Sequence, residues 1–345
     1  MPEALVFTGP YRIGRISYDD PPPGAGEVLV RTEWASGKHG TTTALFANDV
    51  FRGQRFDEAM RLFVPDDTMS APADFGAVGT TGVGRVVAVG PDVARWHVGE
   101  RVFGRMDMRE TNLVAADKLW PLAGIEPQLA LCLEPAYVSF HAIRESGLRY
   151  GDCVAIIGLG ALGLLAVAMA GAAGAERIFA VDPLPARRRL ALDYGADAAF
   201  DPTQADAALL VHGANGGAGV DVAIELSGTT AGLREAIRSC RVAGTVCSAG
   251  FYQDDAQGIW LGREWHHNRL TMVVPHGCGW GHPPRDFPRW DAGRAHDAIV
   301  SLMRQGRLKA PGLIDPIVAF DALEDVFRLI RDEPDRVVKY AVRFA

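Results

Sequence analysis

Gly151-Asp-Cys-Val-Ala-Ile-Ile-Gly158-Leu-Gly160-Ala-Leu-Gly163, continued by an Ala-rich segment to Phe179-Ala-Val-Asp182, decides the fold. The apolar run Val154 to Ile157 suits a strand buried on both faces. A Gly-x-Gly-x-x-Gly turn follows it, and then a segment of helical period. Gly158 permits the tight turn, Gly160 lets backbone approach a pyrophosphate, and Gly163 lets the helix lie close on the sheet. Leu159, Ala161 and Leu162 fill the same phosphate-facing turn. The helix N-terminus then offers free N–H groups and a partial positive charge. Ile178 to Val181 reads as the second strand. Asp182 ends it about 20 residues on, where a carboxylate can hold a ribose 2′- and 3′-hydroxyl pair.

The same acid selects between cofactors. Asp182 would repel a 2′-phosphate, so NAD(H) is expected rather than NADP(H). Arg187-Arg188-Arg189 is the counter-signal, because such a run could bind a phosphate. It sits where the next helix begins, a common place for a solvated basic face, and Arg187 is kept as a cofactor-side candidate. Ser227, just after the strand expected at Val220 to Leu226, is another.

At 345 residues the chain is long for one domain, and two are expected. A formal net charge of −7 gives no basic footprint for nucleic acid. No apolar run is long enough to span a bilayer. Met1-Pro-Glu-Ala-Leu-Val-Phe lacks the basic and apolar regions of a secretory signal. Cys132, Cys153, Cys240, Cys247 and Cys278 never form C-x-x-C and read as buried thiols of a reducing cytoplasm.

Residues 1 to about 120 read as β-rich: Ala4 to Phe7, Glu27 to Glu33, Val83 to Val89 and Arg101 to Phe103 are short runs between Pro- and Gly-rich turns. Asn48 to Met69 is amphipathic and charged and reads as a helix-bearing insertion. From about 123 the period changes. Leu129 to Ser146 is helical, and from Gly151 strands and helices alternate through Thr245 to Ala249, with Arg269 to Val274 as the last strand. Such βαβ alternation means a parallel sheet covered on both faces. Arg294 to Gln305 and Asp321 to Asp332 read as amphipathic helices, and Val337 to Val342 as a closing strand.

This order of motifs resembles the medium-chain dehydrogenase/reductase superfamily, the alcohol dehydrogenase type. Its signs are Gly99-Glu-Arg-Val, Glu134-Pro135, Gly158-Leu-Gly-Ala-Leu-Gly163, Asp182, Tyr194-Gly-Ala-Asp197 and Asp221-Val222. The resemblance covers nearly the whole chain. It implies an α/β protein, with a Rossmann doubly wound parallel sheet at 123–274 and a GroES-like β-rich catalytic domain at 1–122 and 275–345. It also implies hydride transfer in a cleft between them, and a homo-oligomer, dimer or tetramer. The zinc positions depart from the family. The segment Gly37-Lys38-His39-Gly40-Thr41-Thr42 stands where zinc members carry Cys, and Gly79-Thr80-Thr81 stands in place of Gly-His-Glu. The third ligand position matches Cys132 or Glu134, and the four-Cys structural lobe is missing. A catalytic zinc needs about three strong ligands and an open position, so no metal is expected. The pattern looks most like the zinc-less branch that includes the bacteriochlorophyllide hydroxyethyl dehydrogenases.

Without zinc, a side-chain base or cation must reach the substrate oxygen. Lys38 and His39 fall in the loop that ordinarily supplies the ligand. His39 is favoured because its unperturbed pKa is already about 6.5; a solvated loop residue is the plainer alternative for each. Thr41 matches the family's proton relay. Glu134 could orient His39, bind a substrate hydroxyl, or cap the following helix. Thr80, Thr81, Trp265 and His266 are candidates to line a substrate pocket, and an aromatic packing patch is the rival reading of the last two. The expected activity is zinc-independent, NAD-dependent oxidation of a hydroxylated small molecule: a polyol, cyclitol or sugar. The rivals are a redox-neutral epimerase with tightly held NAD, a quinone or enone reductase, and an NAD-binding sensor without catalysis.

Overall fold

The computed structural model describes residues 1–9, 12–38, 53–66, 75–253, 255–275 and 284–344. They fall into two compact units, 1–123 with 315–345, and 124–314. The first runs β1 (Glu3–Gly9), β2 (Arg12–Ser17), β3 (Glu27–Ser36), β4 (Gln54–Asp57), β5 (Leu62–Pro65), β6 (Phe75–Ala77), β7 (Thr81–Val89), β8 (Arg101–Gly104), β9 (Thr111–Ala115) and β10 (Leu119–Pro121). The second runs α1 (Pro127–Ala130), α2 (Leu133–Glu145), β11 (Cys153–Ile157), α3 (Ala161–Ala173), β12 (Arg177–Val181), α4 (Pro185–Asp193) and β13 (Ala198–Phe200). It continues through α5 (Ala207–Ala214), β14 (Val220–Glu225), α6 (Thr230–Ser239), β15 (Cys240–Ser248), α7 (Glu264–His267), β16 (Thr271–Val273) and α8 (Ala292–Arg304). The chain then regains the first unit through β17 (Ile314–Ala319), α9 (Leu323–Asp332) and β18 (Lys339–Arg343).

In the first unit β3 is the organising strand. Val28 and Val30 point inward with no exposure while Arg31 points out, the alternation of a half-buried strand. It pairs antiparallel with β7, β9 and β18, in a sheet of order β10-β8-β7-β3-β18-β17 with β9 beside β3. Two apolar clusters fill this unit. One joins Val28, Val86, Val102 and Leu119; the other joins Phe7, Phe327 and Tyr340.

The expected helix in 48–69 is corrected: its described part, 53–66, contains the antiparallel hairpin β4–β5. Asp57 accepts hydrogen bonds at Oδ1 from Ala59 N at 3.0 Å and Met60 N at 2.8 Å, and Arg61 closes the turn at φ 57°. Those bonds, Met60 N–H foremost, hold the Asp57 carboxyl below its usual range. A short acid that bonds its own backbone offers the chain a turn in place of a helix.

The second unit is a six-stranded parallel sheet of order β13-β12-β11-β14-β15-β16. The order reverses between β11 and β14, the doubly wound arrangement whose switch point receives ligands. β11 is buried at every position, so its sequence is a continuous apolar run. The return to the first unit comes at Asp315, later than the position 275 drawn from the sequence, because α8 packs on α2. Tyr137 stacks on His296 with ring centroids 4.3 Å apart and meets His141 edge-on at 4.5 Å.

That contact gives a pH prediction. His141 is 2% exposed, and neither ring nitrogen has a hydrogen bond among the described residues. Burial first, then the charges of Arg144 and His296, hold it down to about 4 from 6.5, with Asp286 acting the other way. As pH falls through that window the unfolded chain binds a proton that the fold refuses, so stability falls. Glu145, pushed up mainly by burial, acts oppositely. Urea midpoints should therefore drop from about pH 7 to about pH 5 less in His141→Leu than in the wild type. Equal drops would remove His141 from the account.

Cys132, Cys153, Cys240 and Cys247 are buried free thiols, as expected, while Cys278 lies outside the described residues. Among the described residues no helix is long and apolar enough to cross a membrane.

Candidate cofactor and substrate site

The cofactor half is built at the β11–β14 switch point. Gly158 takes φ 87°, a conformation costly for residues with a Cβ, and its N–H returns to Val181 O at 2.9 Å. A Cβ on Gly163 would stand 1.9 Å from Gly158 O, so the helix start touches the turn backbone to backbone. A Cβ on Gly160 would meet nothing within 4 Å. That open side, with Gly160 as the N-cap of α3 and no side-chain cap, leaves the first-turn N–H groups to an anion. The glycine pattern therefore fits a dinucleotide pyrophosphate.

Asp182 is 4% exposed and held from two sides, Oδ2 by Leu159 N at 2.7 Å and Oδ1 by Leu184 N at 2.8 Å. Leu159 itself is buried, so its side chain packs while its N–H orients the acid. Ala161 and Leu162 are half-buried in the first turn, and Leu162 O accepts from Ser139 Oγ at 2.8 Å. The basic run does not act as one cluster. Arg187 lies 4.0 Å from Asp182, Arg188 donates to Asp182 O and Pro183 O and pairs with Asp201 at 3.0 Å, and Arg189 is exposed.

Ser227 faces Gly158: a Cβ on that glycine would lie 2.5 Å from Ser227 N. Beneath it is a carboxylate that sequence reading missed. Glu225 has no exposure, and it accepts from Ser227 N at 2.6 Å, from Ser227 Oγ, and from Tyr252 Oη at 2.6 Å. Burial pushes its carboxyl up while those donors pull the other way.

In the first unit, Lys38 lies one residue beyond Gly37 after β3 and is half-buried. His39 and Thr41 lie outside the described residues. Thr80 N donates to Ser36 O at 2.9 Å, and Thr81, 1% exposed, pairs with Ser36 at the start of β7. The structure thus brings Thr80 and Thr81 to the end of β3 that carries Lys38. A second missed residue holds this end. Lys339 is 3% exposed on β18, and its Nζ donates to Gly37 O at 3.1 Å. Its signal was visible: a lysine amid Val337-Val338 and Tyr340-Ala-Val342, where every neighbour is buried.

Glu134 is half-buried in the first turn of α2, in the second unit. Trp265 packs against the Rossmann core, the aromatic packing alternative, while His266 is exposed beside His267 at 5.7 Å between ring centroids. At the family's zinc positions the described residues are Thr80, Cys132 and Glu134, and of these Thr80 fits zinc poorly. Thr80 offers only a hydroxyl, which donates to Ser36 O at 3.3 Å, and the buried Cys132 thiol donates to Gln128 O at 3.4 Å. No group of three His, Cys, Asp or Glu able to hold a metal occurs among the described residues.

A family profile described as zinc-binding dehydrogenase matches residues 161–290. The D-guloside 3-dehydrogenase of Escherichia coli (strain K12) is 32% identical over 350 residues, covering 99% of each chain. A short chain alcohol dehydrogenase from E. coli CFT073, solved with NADH, shares the fold at TM-score 0.76 and 18% identity over 99% of each chain. A zinc-binding dehydrogenase structure from Sinorhizobium meliloti 1021, bound to NADP, does so at 0.75 and 22% over 99% of each. With a relative this similar along its whole length, and with the switch-point geometry above, the chain belongs to the zinc-binding dehydrogenase family, the medium-chain, alcohol dehydrogenase-like enzymes of NAD(P)-dependent alcohol oxidoreduction.

Proposed function

We propose that the chain is a zinc-independent, NAD-dependent dehydrogenase that oxidises a secondary hydroxyl of a sugar, glycoside, polyol or cyclitol. The observation that carries the cofactor reading is Asp182, buried and braced by Leu159 N and Leu184 N at the end of β12. A carboxylate held so firmly accepts from ribose hydroxyls and repels a 2′-phosphate. Arg187 lies within 4.0 Å of that acid, so its charge is partly answered already. The substrate class rests on the D-guloside 3-dehydrogenase relative, with Thr80 held at the end of β3 that leads to Lys38; Thr81, 1% exposed, packs there rather than lining a pocket. Small hydroxylated molecules are the expected partners, in a cytoplasmic homo-oligomer.

Bound NAD would supply the hydride acceptor for oxidation at the carbinol carbon. The chain's own residues bind and orient the substrate and move the hydroxyl proton. His39 is assigned as the base that receives it, Lys38 as the cation that favours the developing alkoxide, and Thr41 as the relay to solvent. Zinc independence is supported by Thr80, whose hydroxyl stands where zinc members carry a strong ligand and donates to Ser36 O instead.

The test is turnover on a panel of glycosides, polyols and cyclitols with NAD and with NADP, alongside metal analysis of the purified enzyme. NAD turnover that survives chelation is expected. Asp182→Ala should lower kcat/KM for NAD about tenfold and narrow the NAD-to-NADP ratio. Stoichiometric zinc whose removal abolishes activity would overturn the metal-free reading; preference for NADP would overturn the cofactor one.

A further inference from the structure

We propose that Glu225 is a positioning residue of the cofactor site: its buried carboxylate sets the Ser227–Gly228 loop, the wall that faces Gly158. The inference rests on the reading of the switch point as a dinucleotide site and deepens it.

Glu225 ends β14, the strand paired with β11 across the switch point. Every other residue of β14 except Asp221 is apolar, and an apolar side chain here would avoid the desolvation of a buried carboxylate. The carboxylate is retained with its lone pairs filled. Ser227 contributes its N–H and its hydroxyl to Oε1, and Gly228 N donates to Oε2 at 3.2 Å. Tyr252 Oη donates to Oε2 at 2.6 Å and accepts in turn from Ser248 Oγ at 3.1 Å. Three of the four donors thus belong to the two residues of the loop.

Two glycines shape the cavity around this group. A Cβ on Gly232 would lie 2.7 Å from Oε1, and one on Gly250 would lie 2.5 Å from Oε2. The loop therefore has one position, set by an acceptor that has no exposed surface of its own. Because Ser227 N and Cα lie within 2.8 Å of where a Gly158 Cβ would be, any loop shift moves a wall of the cradle. Glu225 acts on the cofactor through Ser227 and Gly228.

Glu225→Gln is the direct test. The amide keeps one acceptor but turns an NH2 group toward donors that already point inward. The dissociation constant for NADH, titrated by fluorescence on the intact enzyme, should rise about tenfold. KM for NAD should rise with it, while kcat at saturating NAD stays within about twofold. A folded Glu225→Gln enzyme that binds NADH as the wild type does, or one that loses kcat with binding unchanged, would overturn the assignment. Should that variant fail to fold, Tyr252→Phe removes the far-side donor and keeps the ring. Weakening of NADH by about threefold supports the proposal, and unchanged binding overturns it. Each titration is repeated with NADPH. Tighter NADPH binding by the wild type would sink the NAD preference, and the Glu225 effect would then be read on NADPH.

Discussion

Gly163→Val is expected to lower kcat/KM for NAD about a hundredfold, because its Cβ has nowhere to go. The nearest atom is Gly158 O at 1.9 Å, with Gly158 C at 2.9 Å and Ile156 Cγ2 at 3.7 Å. The first two are backbone and cannot rotate aside, so the start of α3 must lift by about 1 Å from the turn it rests on, and the phosphate-facing N–H groups go with it. Overpacking of this kind also costs about 1–3 kcal/mol of stability, and a lowered Tm should accompany the kinetic loss. Gly160→Ala isolates the ligand's share. Its Cβ would meet nothing of the protein within 4 Å, so Tm should hold while NADH binding weakens about tenfold. Full NADH affinity in Gly160→Ala would mean that no pyrophosphate passes there.

The Rossmann half was legible because its signals are local. β11 and β12 are buried along nearly their whole length, so they read as apolar runs, and Gly163 at the start of α3 meets Gly158 and Ile156, its own neighbours in sequence. The β-rich half was legible where strands alternate, as β3 does, or are buried nearly throughout, as β8 and β18 are. β2 is exposed or half-buried at every position, and β17 carries Pro316, so neither shows the apolar alternation that marks a strand. The site followed the same division. Gly158 and Asp182 could be placed from spacing. Glu225 could not, because it sat at the end of an apolar run and one of its partners, Tyr252, lies beyond β15. Trp265 and His266 looked alike as a polar-aromatic pair, and only packing separated a core residue from an exposed one.

Lys339→Met should reduce kcat/KM about a hundredfold while changing stability little. The two effects part because they have different origins. Removing Nζ takes from Gly37 O a buried donor, a loss of about 1–3 kcal/mol. It also relieves the desolvation of a buried ammonium, which offsets part of that loss, and methionine keeps most of the apolar stem. Catalysis has no such compensation. Gly37 leads directly into Lys38 and His39, and it is pinned between Lys339 Nζ and Tyr340 Oη, the latter 2.4 Å from where a Cβ would stand. With one support gone, Lys38, the proposed cation, loses its reference to β18. Ser36 Oγ makes the neighbouring stitch, donating to Tyr340 O at 2.6 Å. Ser36→Ala and Lys339→Met should therefore be non-additive in kcat/KM, since each frees the same short segment. Additive losses would mean that the two bonds act on separate parts of the site. A Lys339→Met enzyme within twofold of wild-type kcat/KM would mean that the loop carrying Lys38 is held from elsewhere.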